Sequence, residues 1–61
     1  MKLIVIKEDM KRNIRSEITF REAYCDLLNS DHNRLTPIAL NYILLSNTKI
    51  VDEICTYQRK L

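Results

Sequence analysis

The chain has 61 residues, of which 46% are hydrophobic and 30% are charged. This composition is typical of one globular domain spanning residues 1–61. A domain this small hides only about 60% of its unfolded surface, so it often needs a disulfide, a metal or a partner chain. The net charge of +2 is too small to diagnose nucleic-acid binding by itself. The complete lack of glycine excludes the familiar phosphate-binding loops and argues against an Asn-Gly hairpin.

The cysteines and the single histidine offer little for metal or disulfide chemistry. Cys25 and Cys55 lie in apolar runs far apart, and His32 completes no zinc spacing with them. We interpret both cysteines as small buried residues of a reduced, cytoplasmic protein, and we predict no metal and no other cofactor. His32 is expected to be solvated in a polar loop. No apolar run approaches the roughly 20 residues that span a bilayer, so we expect a soluble protein with no membrane partner.

The first predicted element is a short strand at about residues 3–6, where aliphatic residues run together. Asp9 can then cap a short helix over about residues 9–13. Apolar residues at intervals of four would share one face of that segment: Ile6, Met10 and Ile14. The alternative is a strand beginning at Ile14, which would form an N-terminal β-hairpin with residues 3–6. We favour the helix and keep the hairpin, followed by two helices, as the alternative fold.

Two helix starts are well marked. Thr19 and Glu22 have the spacing of a capping box, which predicts a helix over about residues 20–29. Thr36 followed by Pro37 predicts a second start, for a helix over about residues 37–46.

The C-terminal third has an apolar repeat of 3.5 residues, which is typical of a helix that packs against another helix. The residues of this stripe are Leu40, Ile43, Asn47, Ile50, Ile54, Tyr57 and Leu61. The repeat predicts a further helix over about residues 48–60, either separate from the helix at 37–46 or continuous with it. In the continuous case Asn47 would fix the register of the pair, and in the broken case it would cap a helix. The predicted fold class is therefore mainly α, a short strand followed by a small helical bundle.

The function predicted from these features is protein binding. One histidine and no motif around it give no pair of nucleophile and base, so we expect no enzyme activity. The apolar stripes present more surface than a monomer of this size readily covers, which favours a homodimer and a larger protein target. We predict a small regulatory or inhibitory protein that binds through helical apolar faces, with the stripe as its interface. The frequent Ile, Asn and Lys hint at an AT-rich viral or mobile-element genome.

The alternative function is DNA or RNA binding by the basic N-terminal segment. Its candidate residues are Lys7, Lys11, Arg12, Arg15 and Arg21. Three of them at intervals of four would form a line along a helix that can contact phosphates. Interspersed acidic residues interrupt this patch, which favours an ordinary solvated surface.

Overall fold

The computed structural model describes residues 2–61 and shows two β-hairpins separated by two helices. In chain order the elements are β1 (Ile4–Asp9), β2 (Ile14–Thr19), α1 (Phe20–Leu28), α2 (Pro37–Leu45), β3 (Ile50–Asp52) and β4 (Cys55–Arg59). The four strands form one antiparallel sheet in the order β2-β1-β4-β3. The first and last strands are therefore neighbours at the centre of the sheet.

The predicted fold class, mainly α, is wrong. The chain is 30% helical and 33% strand, with a four-stranded sheet as its largest element. The alternative of one hairpin and two helices also falls short, because it has no strands after the second helix. The helices predicted near 20–29 and 37–46 are present as α1 and α2.

The predicted helix at 9–13 is wrong as well, and a turn takes its place. The Asp9 carboxylate accepts hydrogen bonds from the backbone N–H groups of Lys11 and Arg12, at 3.1 Å each. Asp9 thus caps a turn, as its short polar side chain favours, but no helix follows. Asn13 has a φ of 57°, which reverses the chain into β2. Spacing by four fails to separate the two interpretations, because residues i and i+4 share a face in a strand as well as in a helix.

Both predicted helix starts are confirmed. The Thr19 hydroxyl accepts from the backbone N–H of Glu22, while the Glu22 carboxylate accepts from the backbone N–H of Thr19. The Thr36 hydroxyl accepts from the backbone N–H of Ala39, with Pro37 at the first helical position. These caps satisfy N–H groups that have no partner inside the first turn of a helix.

Helix α2 ends at Leu45, and the chain turns away at Asn47, so neither a continuous helix from 37 to 60 nor a separate helix at 48–60 exists. Asn47 has a φ of 59°, its N–H donates to Leu44 O, and the N–H of Thr48 donates to Ile43 O. This pair of bonds is the Schellman ending of a helix. The following residues form the hairpin of β3 and β4, whose two-residue loop begins at Glu53 with a φ of 48°.

Both helices pack on one side of the sheet, with α1 over β1 and β2 and α2 over β4. The core lies between these two layers and consists of Val5, Ala23, Leu27, Leu40, Leu44 and Tyr57. Side chains alternate between the two sides of a strand. Residues of β1 with the parity of Val5 therefore face the helices, and Ile4, Ile6 and Glu8 lie on the open side of the sheet.

Candidate functional site

A cleft lies between α1 and the hairpin of β1 and β2, on the side of the sheet that carries the helices. Its volume is about 580 Å³. The lining residues are Lys7, Asp9, Arg12, Ile14, Ser16, Ile18, Arg21, Glu22, Cys25 and Asp26. Three basic and three acidic side chains line it, so the cleft has no net formal charge that would select an anion or a cation.

Two of the lining residues, Lys7 and Asp26, form a cluster with the buried Tyr57. Lys7 Nζ donates to Asp26 Oδ2 at 2.8 Å, and Tyr57 Oη lies 3.5 Å from the same oxygen. The Lys7 ammonium is also 5.8 Å from the centre of the Tyr57 ring. The hydrogen bond to Asp26 raises the pKa of Lys7, and burial raises the pKa of Tyr57 to about 12. At neutral pH the cluster therefore holds a charged ammonium and a neutral phenol.

The chemistry that this cluster supports is structural rather than nucleophilic. A lysine becomes a nucleophile when its surroundings lower its pKa, and the surroundings of Lys7 act in the opposite direction. The ion pair instead connects the central strand β1 to α1. Cys25 opens onto the same cleft with a free thiol. It is exposed, so the prediction of a buried Cys25 was wrong; α1 buries Ala23 and Leu27 and so directs Cys25 away from the core.

The basic residues of the predicted nucleic-acid site do not form a line. Lys7 faces the helices and is paired with Asp26, and Lys11 and Arg12 lie in the turn after β1. Arg15 is on the open side of the sheet, while Arg21 lies on α1. The cleft brings Lys7, Arg12 and Arg21 together, and it leaves Lys11 and Arg15 outside.

The residues of the predicted apolar stripe are divided among three elements and the turns between them. Leu40 and Tyr57 are in the core, and Ile50 packs against it. Ile43 is half-buried on α2, and the other members are exposed: Asn47, Ile54 and Leu61. The shared helical face that the repeat predicted is absent from residues 2–61, because the strands β3 and β4 carry its second half. A role for the exposed members in an interface stays a prediction.

His32 lies in the predicted polar loop, between α1 and α2, but it is less solvated than expected. The side chain is half-buried, and its Nε2 atom lies 3.8 Å from Asp52 Oδ1. Asp52 is buried at the end of β3, so this contact places the loop between the helices against the second hairpin.

A second candidate site is the outer face of α2, which we define as Ile38, Tyr42 and Leu45. These side chains are 84%, 73% and 40% exposed, although all three are large and apolar. Their spacing of four and three residues places them along one side of the helix. The opposite side carries Leu40 and Leu44, which are fully buried. Sequence reasoning missed this face, yet a signal existed: α2 contains no charged residue.

Within residues 2–61, no cluster of three or more His, Cys, Asp or Glu side chains has a geometry that could hold a metal ion. Neither α1 nor α2, at nine residues each, has the length and apolar character needed to cross a membrane.

No protein-family model, curated protein or solved structure matches this chain.

Proposed function

We propose that this chain is a small, non-enzymatic regulatory or inhibitory protein that binds a larger protein through the outer face of α2. The observation that supports the proposal is that α2 carries apolar side chains on two opposite sides, and only the side toward the sheet is buried. A helix with apolar residues all round is normally buried on all sides. The exposed side of α2 therefore has the composition of a surface that a partner covers.

The arrangement of the three side chains indicates how the partner binds. Anchors at positions i, i+4 and i+7 of a helix fit an apolar groove in a receptor protein. Because α2 has no charged side chain, the groove is expected to be apolar and uncharged. Tyr42 adds a hydroxyl at the end of an apolar ring, and such side chains often dominate the affinity of protein interfaces.

The proposed compartment is the reducing cytoplasm. Both cysteines are free, and the thiol of Cys25 is exposed. Exposed free thiols persist where glutathione and thioredoxin keep them reduced.

The decisive test is the substitution Tyr42→Asp, which places a charge in the middle of the outer face. The wild-type protein is used to capture partners from a nuclease-treated lysate, and the captured protein is purified and titrated by calorimetry. We expect Tyr42→Asp to weaken binding at least tenfold, or about 1.4 kcal/mol. The control is Met10→Asp, which places the same charge at an exposed apolar residue in the turn after β1.

Two outcomes would contradict the proposal. One is equal affinity of the Tyr42→Asp variant and the wild type, with both folded by circular dichroism. The other is loss of all binding after nuclease treatment, which would favour the nucleic-acid alternative and direct attention to Lys11 and Arg12 in the exposed turn.

A further inference from the structure

The strand β2 presents one complete edge to solvent. It is six residues long and lies at the end of the sheet order. The N–H of Lys60 donates to Ile4 O and the N–H of Met10 donates to Ile54 O, so the backbone groups of Ile4 and Met10 face β4. Backbone groups of successive residues alternate between the two neighbouring strands. The backbone N–H and C=O groups of Val5, Lys7 and Asp9 therefore point toward β2.

This alternation fixes which groups of β2 point outward. Opposite Val5, Lys7 and Asp9 stand Ile18, Ser16 and Ile14, whose backbone groups are used in pairing with β1. The N–H and C=O groups of Arg15 and Glu17 consequently point away from the sheet. They form the template that an additional strand would use.

The side chains of β2 are complementary to a second copy of themselves. From residue 14 to residue 18 the strand reads Ile-Arg-Ser-Glu-Ile, which is symmetric about Ser16 in size and opposite in charge. Two copies running antiparallel about Ser16 would place each Arg15 beside Glu17 of the second copy. Each Ile14 would lie beside Ile18 of the second copy.

We propose that β2 pairs with β2 of a second copy of this chain, about a two-fold axis at Ser16, to form a continuous eight-stranded sheet. In such a dimer the same surface is used by both chains. The second copy thus pairs with the edge of β2, and the outer face of α2 stays free for the larger protein.

The backbone and the side chains favour the same register. With Ser16 opposite Ser16, Arg15 and Glu17 face each other as hydrogen-bonded pairs, and both have outward-pointing backbone groups. Ile14 and Ile18 face each other as non-hydrogen-bonded pairs, where side chains approach most closely. If the two-fold axis moved by one residue, which slides the strands by two residues, Arg15 would lie opposite Arg15 or Glu17 opposite Glu17, and these pairs repel each other.

The exposure of Ile14 is an independent reason to expect that a second chain covers this edge. Its side chain is 53% exposed, although it lies on the side of the sheet that faces the helices. Pairing with Ile18 of the second copy would bury it. The opposite edge of the sheet is a poorer template, because β3 has only three residues and short edge strands resist pairing.

The Glu17 carboxylate already accepts from Lys60 Nζ at 2.8 Å through its Oε2 atom. Its Oε1 atom can accept from the Arg15 guanidinium of the second copy, because a carboxylate binds two donors at once. In the dimer, Glu17 would lie between two cations.

The test is an exchange of charges, with mass measured by sedimentation equilibrium over a range of protein concentrations. Arg15→Glu places Glu beside Glu17 at both symmetric positions, and Glu17→Arg places Arg beside Arg15. We expect each single variant to raise the dimer dissociation constant at least tenfold. The double variant R15E/E17R restores both attractive pairs and should dimerise like the wild type.

Mixing the two single variants gives the sharpest result. In a mixed dimer, both Glu residues of one chain lie beside both Arg residues of the other, so we expect the mixture to dimerise more tightly than either variant alone. In the wild type, the amide hydrogens of Arg15 and Glu17 should exchange more slowly as the protein concentration rises. Lys11→Glu, which changes an exposed charge in the adjacent turn, is the control and should leave the dimer unchanged.

Three results would overturn the proposal: a monomer at every concentration, a dimer that Arg15→Glu does not weaken, or a mixture of single variants that stays monomeric. Tyr42→Asp should leave the dimer intact, so failure of this proposal is distinguishable from failure of the proposed function. A dimer that Tyr42→Asp abolishes and Arg15→Glu does not would instead place the second copy on α2.

Discussion

In the part of the chain that the structure describes, three residues other than glycine adopt left-handed backbone conformations. They are Asn13, Asn47 and Glu53, with φ values of 57°, 59° and 48°. Asparagine tolerates this region better than other residues with a side chain, because its amide can bond to the nearby backbone. Glutamate has no such advantage. The loop between β3 and β4 therefore contains the most strained of the three positions.

At this scale we predict that Glu53→Gly stabilises the protein. Glycine removes the clash of Cβ in the left-handed region but loses more entropy on folding, which leaves a net gain of about 0.5–1 kcal/mol. Urea unfolding followed by circular dichroism measures this gain. Asn47→Gly is the matched control and should change the free energy of unfolding by only a few tenths of a kcal/mol. Equal gains at both positions would show that glutamate is not under special strain.

Among the elements, β2 and α1 are joined directly, with no residue between them. Thr19 is the last residue of the strand, where it lies opposite Ile4, and it is also the N-cap of the helix. The strand passes into the helix without a loop, so the direction of α1 over the sheet depends on this residue and on Glu22.

We predict that Thr19→Ala lowers the free energy of unfolding by about 1 kcal/mol, because the N–H of Glu22 loses its acceptor. Thr19→Ser keeps the hydroxyl and should recover most of the loss. Thr48→Ala changes an exposed threonine outside the helices and strands, and its effect should stay within about 0.5 kcal/mol. If Thr19→Ala and Thr48→Ala prove equivalent in urea unfolding, the cap does not contribute as the structure indicates.

The elements also show which sequence signals could be trusted. The helix starts at Thr19 and Thr36 were predictable, because a cap depends on hydrogen bonds within four residues. The strand β4 was not, because Ile50, Ile54 and Tyr57 follow a helical repeat that hides the alternation of a strand. Its stability comes from pairing with β1, almost 50 residues earlier in the chain, and no local pattern reports such a partner.

The candidate site was predictable to the same limited degree. The uncharged sequence of α2 was visible, and it identifies a helix that is apolar all round. Which side would remain uncovered depends on the sheet beneath it. The stripe from Leu40 to Leu61 is not one surface, since Leu40 and Tyr57 are in the core. A role for its exposed members in an interface stays a prediction. Similarly, the edge position of β2 follows only from the order of the strands.

For the whole molecule, the Lys7, Asp26 and Tyr57 cluster determines how the fold responds to alkaline pH. Tyr57 has a raised pKa of about 12 because it is buried, and the hydrogen bond to Asp26 raises the pKa of Lys7. Both groups bind their protons more tightly in the folded state. Their contribution to stability is complete below the ordinary pKa values, near 10, and disappears as pH rises through the higher folded values.

We therefore predict that the free energy of unfolding falls between about pH 10 and pH 12, and that Tyr57→Phe reduces this fall. Phenylalanine keeps the ring in the core but has no proton to lose. Urea unfolding at pH 8, 10 and 11.5 measures the difference. Tyr42→Phe removes a phenol that is 73% exposed and should leave the fall in place. A fall of the same size in Tyr57→Phe would assign it to other groups.

The central position of β1 has a consequence for how the protein is made. The hairpin of β1 and β2 can form when residue 19 has left the ribosome, but the other edge of β1 waits for β4, some 40 residues later. At about 5–20 residues per second this takes a few seconds. During that time a nascent chain displays a strand rich in aliphatic side chains with bare backbone groups. On a crowded polysome, where neighbouring nascent chains carry the same strand, aggregation competes with folding most strongly in this interval.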